Sequence, residues 1–587
     1  MSKKPDLVLK GGTIVDGSGT PGRVGDVAVA EGRIVSVGPT VEPGDAEVID
    51  ADGALVAPGW VDVHTHFDGQ VTWDDTLDPS FSNGVTSLVM GNCGVGFAPC
   101  KPGDEQTLIE LMEGVEDIPG TALSEGVPWG AWESFGEYLD FLGTRSYALD
   151  VGAQIAHGAL RFYVMGERGV NNEDATPADI AEMRRLTAEA VEAGALGFST
   201  SRTIFHRAID GTPVPGTYAS AAELTEIAAG MADGGGAVLE AISSESIGAM
   251  EALGGERFTA EQEMALLADI SRSSGQPVTF TTVQNADWPD AWRDVLRHAS
   301  EQNAAGAKLY PQVGSRPVGL LCGLGGYHPF MLKPAYREMA HLPVAERAKA
   351  MADPDLRARI MTEPNDDPES DGSMEMFALV YERLMPIMFP VGPDFDYEPT
   401  QDQCFAAIAQ RRGVSVEDAM YDFLIADGGT QFCTYLGANF VEGSLDPVYE
   451  MLAHPETVTG LADAGAHVKL ICDGTMPTTQ LKHWTQSRTR GDLLPVELIV
   501  HKQTRRNAEL YGLTDRGLLA PGLRADINVI DLDNLSVAPP VAHDDLPAGG
   551  WRLLQPVTGY LATVVAGRVT RRNDTDTGAR PGRLARS

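Results

Sequence analysis

Two histidines one residue apart, His64 and His66, close the run Pro58-Gly59-Trp60-Val61-Asp62-Val63-His64-Thr65-His66. Gly59 breaks the chain, and the β-branched Val61 and Val63 suit an extended strand. Alternate residues of a strand share a face, so both imidazoles can aim at one point. Two neutral imidazoles on one face suit a divalent transition metal. A bare His-x-His also fits a solvated or hydrogen-bonded strand end. The elements around the pair decide between these readings.

Those elements alternate. Seven further strand-like runs follow: Val85-Thr-Ser-Leu-Val-Met-Gly, Asp150-Val-Gly-Ala-Gln-Ile-Ala-His, Ala195-Leu-Gly-Phe-Ser-Thr, Ala237-Val-Leu-Glu-Ala-Ile, Pro277-Val-Thr-Phe-Thr-Thr, Gly306-Ala-Lys-Leu-Tyr-Pro-Gln-Val and Thr457-Val-Thr-Gly-Leu-Ala-Asp. Helical stretches lie between them, among them 177–193, with Thr176 as N-cap, and 220–233. Eight strands alternating with helices predict an α/β fold, a (β/α)8 TIM-type barrel over residues 58–514. The stretch from about 320 to 430 is too long for a barrel loop and holds helical runs near 344–361 and 401–426. It reads as an inserted subdomain near the barrel mouth, placed to act as a lid. A second long loop, about 97–145, joins the second and third strands. Residues 1–57 carry short β-rich runs at about ten-residue spacing, and the same texture returns over 515–570. One small β-sandwich domain built from both termini is the expectation. The tail 571–587, rich in Arg, Asp, Gly and Pro, reads as disordered.

In such a barrel, chemistry gathers at the C-terminal ends of the strands. His64 and His66 end the first. The second runs into Gly91-Asn92-Cys93-Gly94, where Cys93 is either a thiolate ligand or a small buried apolar residue. The third ends in His157, followed by Arg161, and orienting a substrate or filling a polar core position are both open to it. After the fourth, Arg202 and His206 could grip an anion or stay solvated. Glu240 sits among apolar residues of the fifth, where an unpaired carboxylate is costly, so it is a candidate ligand or hydrogen-bond acceptor. Asp463 closes the eighth and so lies beside the first in a closed barrel, ahead of His467. Two histidines with an adjacent carboxylate make a metal-plus-base constellation. Asp473, in a second apolar run, is the rival of Asp463.

Composition bounds the rest. A chain of 587 residues, 43% hydrophobic with mean hydropathy −0.12, is globular and exceeds one small core. No apolar run reaches the roughly 18 residues needed to span a bilayer. The opening Met-Ser-Lys-Lys-Pro-Asp leads into a strand rather than a signal-peptide core. Six scattered cysteines without a CxxC argue against a disulfide framework, so a reduced, cytoplasmic protein is expected. A net charge of −39 repels nucleic acid and anionic membranes. It does not exclude an anionic substrate, because salt screens a distant field over roughly 8–10 Å.

The chain resembles the amidohydrolase superfamily, and within it the D-aminoacylase (N-acyl-D-amino-acid deacylase) branch, over nearly its full length. The resemblance rests on the opening Leu-Lys-Gly-Gly-Thr-Ile-Val-Asp-Gly, on Ala57-Pro-Gly-Trp-Val-Asp-Val-His-Thr-His and on Gly91-Asn-Cys-Gly. His157-Gly-Ala-Leu-Arg, Gly197-Phe-Ser-Thr, the Asp-ending eighth strand and Arg516-Gly-Leu-Leu-Ala-Pro-Gly-Leu-Arg-Ala-Asp also fit. It implies metal-assisted hydrolysis of an amide-type C–N bond in a small N-acyl or amide substrate. Asp463 would be the acid/base, and Cys93 matches a zinc-ligand position of the branch. The branch ends strands five and six with histidine ligands. Here those segments read Leu239-Glu-Ala-Ile-Ser-Ser and Phe280-Thr-Thr-Val-Gln, without a histidine. One divalent ion, zinc first, on His64, His66 and Asp463 with help from Cys93 or Glu240 is the economical expectation. Arg202, His206, Arg316, His467 and His483, with His157 and Glu240, are the candidates for substrate contact. Two other readings stay open: hydrolysis of a cyclic amide, carbamate or ureido compound, and a non-catalytic scaffold. A homo-oligomer is compatible with all three.

Overall fold

A computed structural model describes residues 4–244, 259–368, 374–393 and 395–586. Residues 1–3 and 587, the ends of the expected N-terminal unit and tail, lie outside the described residues. The eight expected strands all form: Trp60–Thr65, Val85–Met90, Asp150–Ala156, Gly197–Ser201, Val238–Ile242, Val278–Thr282, Leu309–Val313 and Val458–Thr459. They lie in one sheet in sequence order, and every neighbouring pair is parallel. The eighth strand is short, and the chain beyond it returns to the first. Thr65 bridges Ala464, and the His66 N–H donates to the Ala464 carbonyl at 2.8 Å. The sheet thus rounds into a TIM-type barrel.

Local chemistry explains the outer helices. Pro177–Glu192 starts with a capping box between Thr176 and Asp179, with proline in its first turn, and Ala221–Asp233 is capped by Ser220. Val85–Met90 is buried along its whole length, as expected where helices cover a parallel sheet.

Strands from both ends of the chain form a β-rich unit. Leu7–Ile14, Arg23–Ala30, Arg33–Gly38, Glu47–Asp50 and Leu55–Pro58 join Ile527–Ile530, Tyr560–Val565, Arg568–Arg572 and Thr575–Asp576 in a nine-stranded sheet. Leu9, Val27, Val29, Ile527, Val529 and Val564 share its core. The late motif from Arg516 to Asp526 ties this unit to the barrel. Arg516 and Arg524 each donate to the Asp150 carboxylate, at 2.7 and 2.9 Å, at the start of the third barrel strand.

The insertion after the seventh strand has its own core, including Leu324, Tyr336, Met351, Tyr381, Met420 and Tyr421. Val318–Cys322, Phe389–Val391 and Phe432–Ala438 form a three-stranded antiparallel sheet in it. Two of these strands reach beyond the limits 320–430.

The tail departs from expectation. Rather than being disordered, it lies along the third barrel strand. Tyr147 and Gly582 exchange backbone hydrogen bonds, Val151 N–H donates to Arg583, and Ala585 N–H donates to Val151. Arg580 reaches Asp75 and Asp576, and Arg586 reaches Asp140. A Cβ at Gly582 would stand 2.1 Å from the Leu149 carbonyl, so glycine permits the approach. Order here comes from a backbone ladder and arginine pairs, which apolar patterning does not register. Deleting residues 578–587 is therefore expected to cost a few kcal/mol, at about 1 kcal/mol per lost hydrogen bond. A Tm several degrees lower by calorimetry is the expected reading, and an unchanged Tm would mean that the tail contributes nothing.

Candidate metal centre

The first barrel strand delivers His64 and His66, both buried, to one side, while Thr65 between them donates to the Val89 carbonyl at 2.8 Å. The second strand ends in a turn that aims Cys93 back at them. Cys93 and the two glycines of its turn, Gly91 and Gly94, adopt positive φ, at 57°, 84° and 72°. A Cβ at Gly91 would lie 2.4 Å from the Gln154 carbonyl, so only glycine fits that turn. Asp463 and His467 also hold left-handed conformations, at φ 45° and 50°. Such strain in non-glycine residues clusters at sites where function sets the geometry.

These turns converge. Cys93 Sγ lies 3.4 Å from His64 Nε2 and 3.7 Å from His66 Nε2. Asp463 Oδ1 lies 3.3 Å from His64 Nε2 and 3.8 Å from His66 Nε2. The His64, His66 and Cys93 donor atoms all fall within 4.8 Å of one another. Bonds of about 2.0–2.1 Å to nitrogen or oxygen and about 2.3 Å to sulfur give a tetrahedral zinc site with donor–donor edges of roughly 3.3–3.6 Å. The observed separations match that scale. The two imidazoles and the thiol therefore fit a divalent ion by distance and by donor chemistry, and Asp463 adds a carboxylate beside both imidazoles.

Electrostatics support the same fit. Burial drives the pKa of His64 and of His66 down, which leaves neutral rings with lone pairs to donate. His64 Nδ1 lies 2.6 Å from Gln312 Oε1, so that nitrogen carries the proton and Nε2 faces Cys93. Carboxylates crowd the same interior. Burial pushes Asp62 and Asp68 up to about 7 and Glu240 up to about 8, and it pushes Glu116 well above the usual range. The Cys93 thiol is pushed up by burial and by the charges of Glu116, Glu240, Asp463 and Asp68. A cation is the natural complement of such a cluster. Asp463 behaves oppositely. Burial opposes its ionisation, but the neighbouring His66, His64 and His467 outweigh that and hold its carboxyl below the ordinary range. Its side chain is also 17% exposed, whereas those of His64 and His66 are at 1% or less.

The other candidates read from the sequence divide once placed. Glu240 belongs to the cluster: it accepts the Cys93 N–H at 3.2 Å and lies 3.9 Å from His64 Nδ1. His467 joins from the loop after Asp463, with Nε2 3.5 Å from Glu116. His206 accompanies them; burial, then the charges of His467 and His66, lower its pKa to about 3. His157 is committed elsewhere, with Thr200 on Nδ1 and Glu223 on Nε2, both at 2.9 Å. It fills the polar core position, not the substrate contact. Arg202 pairs with Glu263 at 2.8 Å. Arg316 is buried against Asp473 at 2.8 Å and stacks on Tyr397. His483 lies 3.9 Å from both Asp396 and Glu398, in a groove away from the four donors. Asp473, the rival base, is thereby occupied by Arg316.

Sequence reasoning missed Asp62, Asp68, Glu116 and Gln312. Asp62 and Asp68 continue the alternation of His64 and His66, and Gln312 is a polar residue near a strand end, so three carried a readable signal. Glu116 ends the helix Glu105–Glu116 inside the long loop and carried none.

Residues 47–571 match the model described as Amidohydrolase family, and the chain belongs to that family. It is 36% identical to the D-aminoacylase of Alcaligenes xylosoxydans xylosoxydans over 195 residues, which span 33% of this chain and 37% of that protein. An uncharacterized Mycobacterium tuberculosis protein is 26% identical, with 96% of this chain and 90% of that one covered. Among solved structures, a D-aminoacylase superposes with TM-score 0.62 at 23% identity, covering 99% and 100% of the two chains. N-acyl-D-glutamate deacylase from Bordetella bronchiseptica, complexed with zinc and a phosphonate inhibitor, does so with TM-score 0.62 at 22% identity, covering all of both chains. These likenesses show a shared fold. No helix among the described residues is long and apolar enough to cross a membrane.

Proposed function

We propose that the protein hydrolyses the amide-type C–N bond of a small N-acyl amino acid of D configuration. His64, His66, Cys93 and Asp463 would hold one divalent ion, with zinc favoured by the nitrogen, sulfur and oxygen donors. The observation that carries the reading is the place of Asp463. It touches both imidazoles and is the one member of the four that stays partly open. When bound, the ion supplies polarisation of the amide carbonyl and a lowered pKa for the attacking water. Asp463, kept ionised, accepts the water's proton on a carboxylate oxygen and returns it to the leaving nitrogen. His64 and His66 stay neutral and keep Nε2 turned inward, His64 through its hydrogen bond to Gln312. The D-amino-acid part of the reading is supported by the likeness to D-aminoacylase and N-acyl-D-glutamate deacylase.

A chiral panel of N-acyl amino acids, run beside cyclic amides and ureido compounds, tests the substrate class. Release of free amino acid from D substrates alone is the expected result. Ring opening of a cyclic amide with no release from either enantiomer would move the activity to the cyclic class.

A further inference from the structure

Glu116 is buried, and neither of its carboxylate oxygens makes a hydrogen bond among the described residues. Leaving such a group unpaired is expensive, so its position calls for an explanation. The ring nitrogens beside it belong to two different histidines. His66 Nδ1 lies 3.3 Å from Oε1, and His467 Nε2 lies 3.5 Å from Oε2. The opposite nitrogen of each ring matters as well. His66 Nε2 faces Cys93 and Asp463, while His467 Nδ1 is buried with no partner among the described residues. A cavity lined by Asp463, His467, Val468 and Leu553 lies against that second ring.

Glu116 does not drift into this place. Its helix ends with Asp117 in the left-handed conformation, φ 52°. Asp117 accepts the Tyr327 hydroxyl at 2.7 Å and the Lys469 N–H at 3.0 Å. The Glu116 carbonyl accepts the backbone N–H of His467 itself. The long loop, the inserted subdomain and the turn after the eighth strand are thus pinned together at this dipeptide.

We infer that Glu116 is a positioning residue that sets two histidines at once. It takes the Nδ1–H of His66, which turns Nε2 to the other three donors. It takes the Nε2–H of His467, which leaves Nδ1 as an acceptor for an N–H or O–H donor of the substrate. A carboxylate behind a metal-bound histidine fixes its tautomer and raises its basicity, and here one carboxylate serves a ligand and a substrate-facing ring together. This inference rests on the metal reading above.

Cobalt(II) is the probe, because its thiolate charge-transfer band reports Cys93 and its ligand-field bands report coordination. Chelator competition and the cobalt spectrum would be compared for the wild type, Glu116→Gln and Glu116→Asp. Glu116→Gln can accept from only one of the two rings, so a roughly 10–100-fold loss of affinity with a changed spectrum is expected. Glu116→Asp, which keeps the charge, should recover part of that loss. The wild type also provides a reading that needs no variant to fold. Two-bond proton–nitrogen spectra of histidine-labelled protein should show Nδ1–H on His66 and Nε2–H on His467. Wild-type affinity and spectrum in Glu116→Gln, or the opposite tautomers, would overturn the inference while the metal reading stands. Failure of the wild type to bind cobalt or zinc would overturn both.

Discussion

Asp463→Asn is expected to fold normally and to lower the rate of amide hydrolysis by about 10²–10⁴-fold, the usual cost of losing a general base. The substitution suits the position. Asparagine tolerates the left-handed conformation that Asp463 adopts at φ 45° and keeps the shape of the side chain. It removes the capacity to take and return a proton and the negative charge beside His64 and His66, and it weakens one proposed ligand, so metal content is read alongside the rate. Steady-state kinetics with thermal unfolding as the folding control make the measurement. Asp473→Asn is the informative comparison, since ten residues downstream it faces Arg316, not the donor cluster. Removing one member of a buried pair leaves the other charge uncompensated, at a cost of about 3–5 kcal/mol. That loss should appear in stability, with turnover far less affected than in Asp463→Asn. A large rate loss in Asp473→Asn beside a normal Asp463→Asn would place the base ten residues later.

The second large effect is expected from His64→Ala/His66→Ala. Purified wild type should carry a single zinc or similar ion per chain, and the double variant should carry none and be inactive. Two of the four donors disappear, and those that remain are a thiol whose pKa burial raises and a carboxylate that has lost the imidazoles holding it down. Elemental analysis reads the metal directly. Because Asp62, Asp68, Glu116 and Glu240 share the same interior, the double variant should also unfold at lower temperature. Stripping the wild type with a chelator and restoring activity with zinc separates loss of the ion from loss of the fold. Full activity in metal-free wild type would end the metal reading.

The arginine candidates show why a set of polar residues is not yet a site. Arg202 and Arg316 each follow a barrel strand, which is where an anion grip belongs. Each instead meets an acidic partner, Glu263 and Asp473, contributed from helix Ala260–Ser274 and from the turn beyond the eighth strand. His157 is likewise claimed by Glu223. In a chain with 83 acidic and 44 basic residues, a buried basic group finds an acid more readily than it stays free for a ligand.

The eight strands and the joining of both chain ends in the β-rich unit are legible along the chain, as are His64, His66, Cys93 and Asp463, the residues proposed to hold the ion. These are written in local terms: alternation within a strand, a glycine turn after it, and a carboxylate closing the last strand beside the first. Which buried charges face one another emerges from the folded chain alone. Folding brought Glu116 from a loop helix to His66 and His467, set Gln312 behind His64, and withdrew His157, Arg202, Arg316 and His483 from the centre. Strand periodicity acts over two residues and can be read along the chain. The partner of a buried charge is set by which distant segment folds over it, and neither residue type nor spacing encodes that meeting.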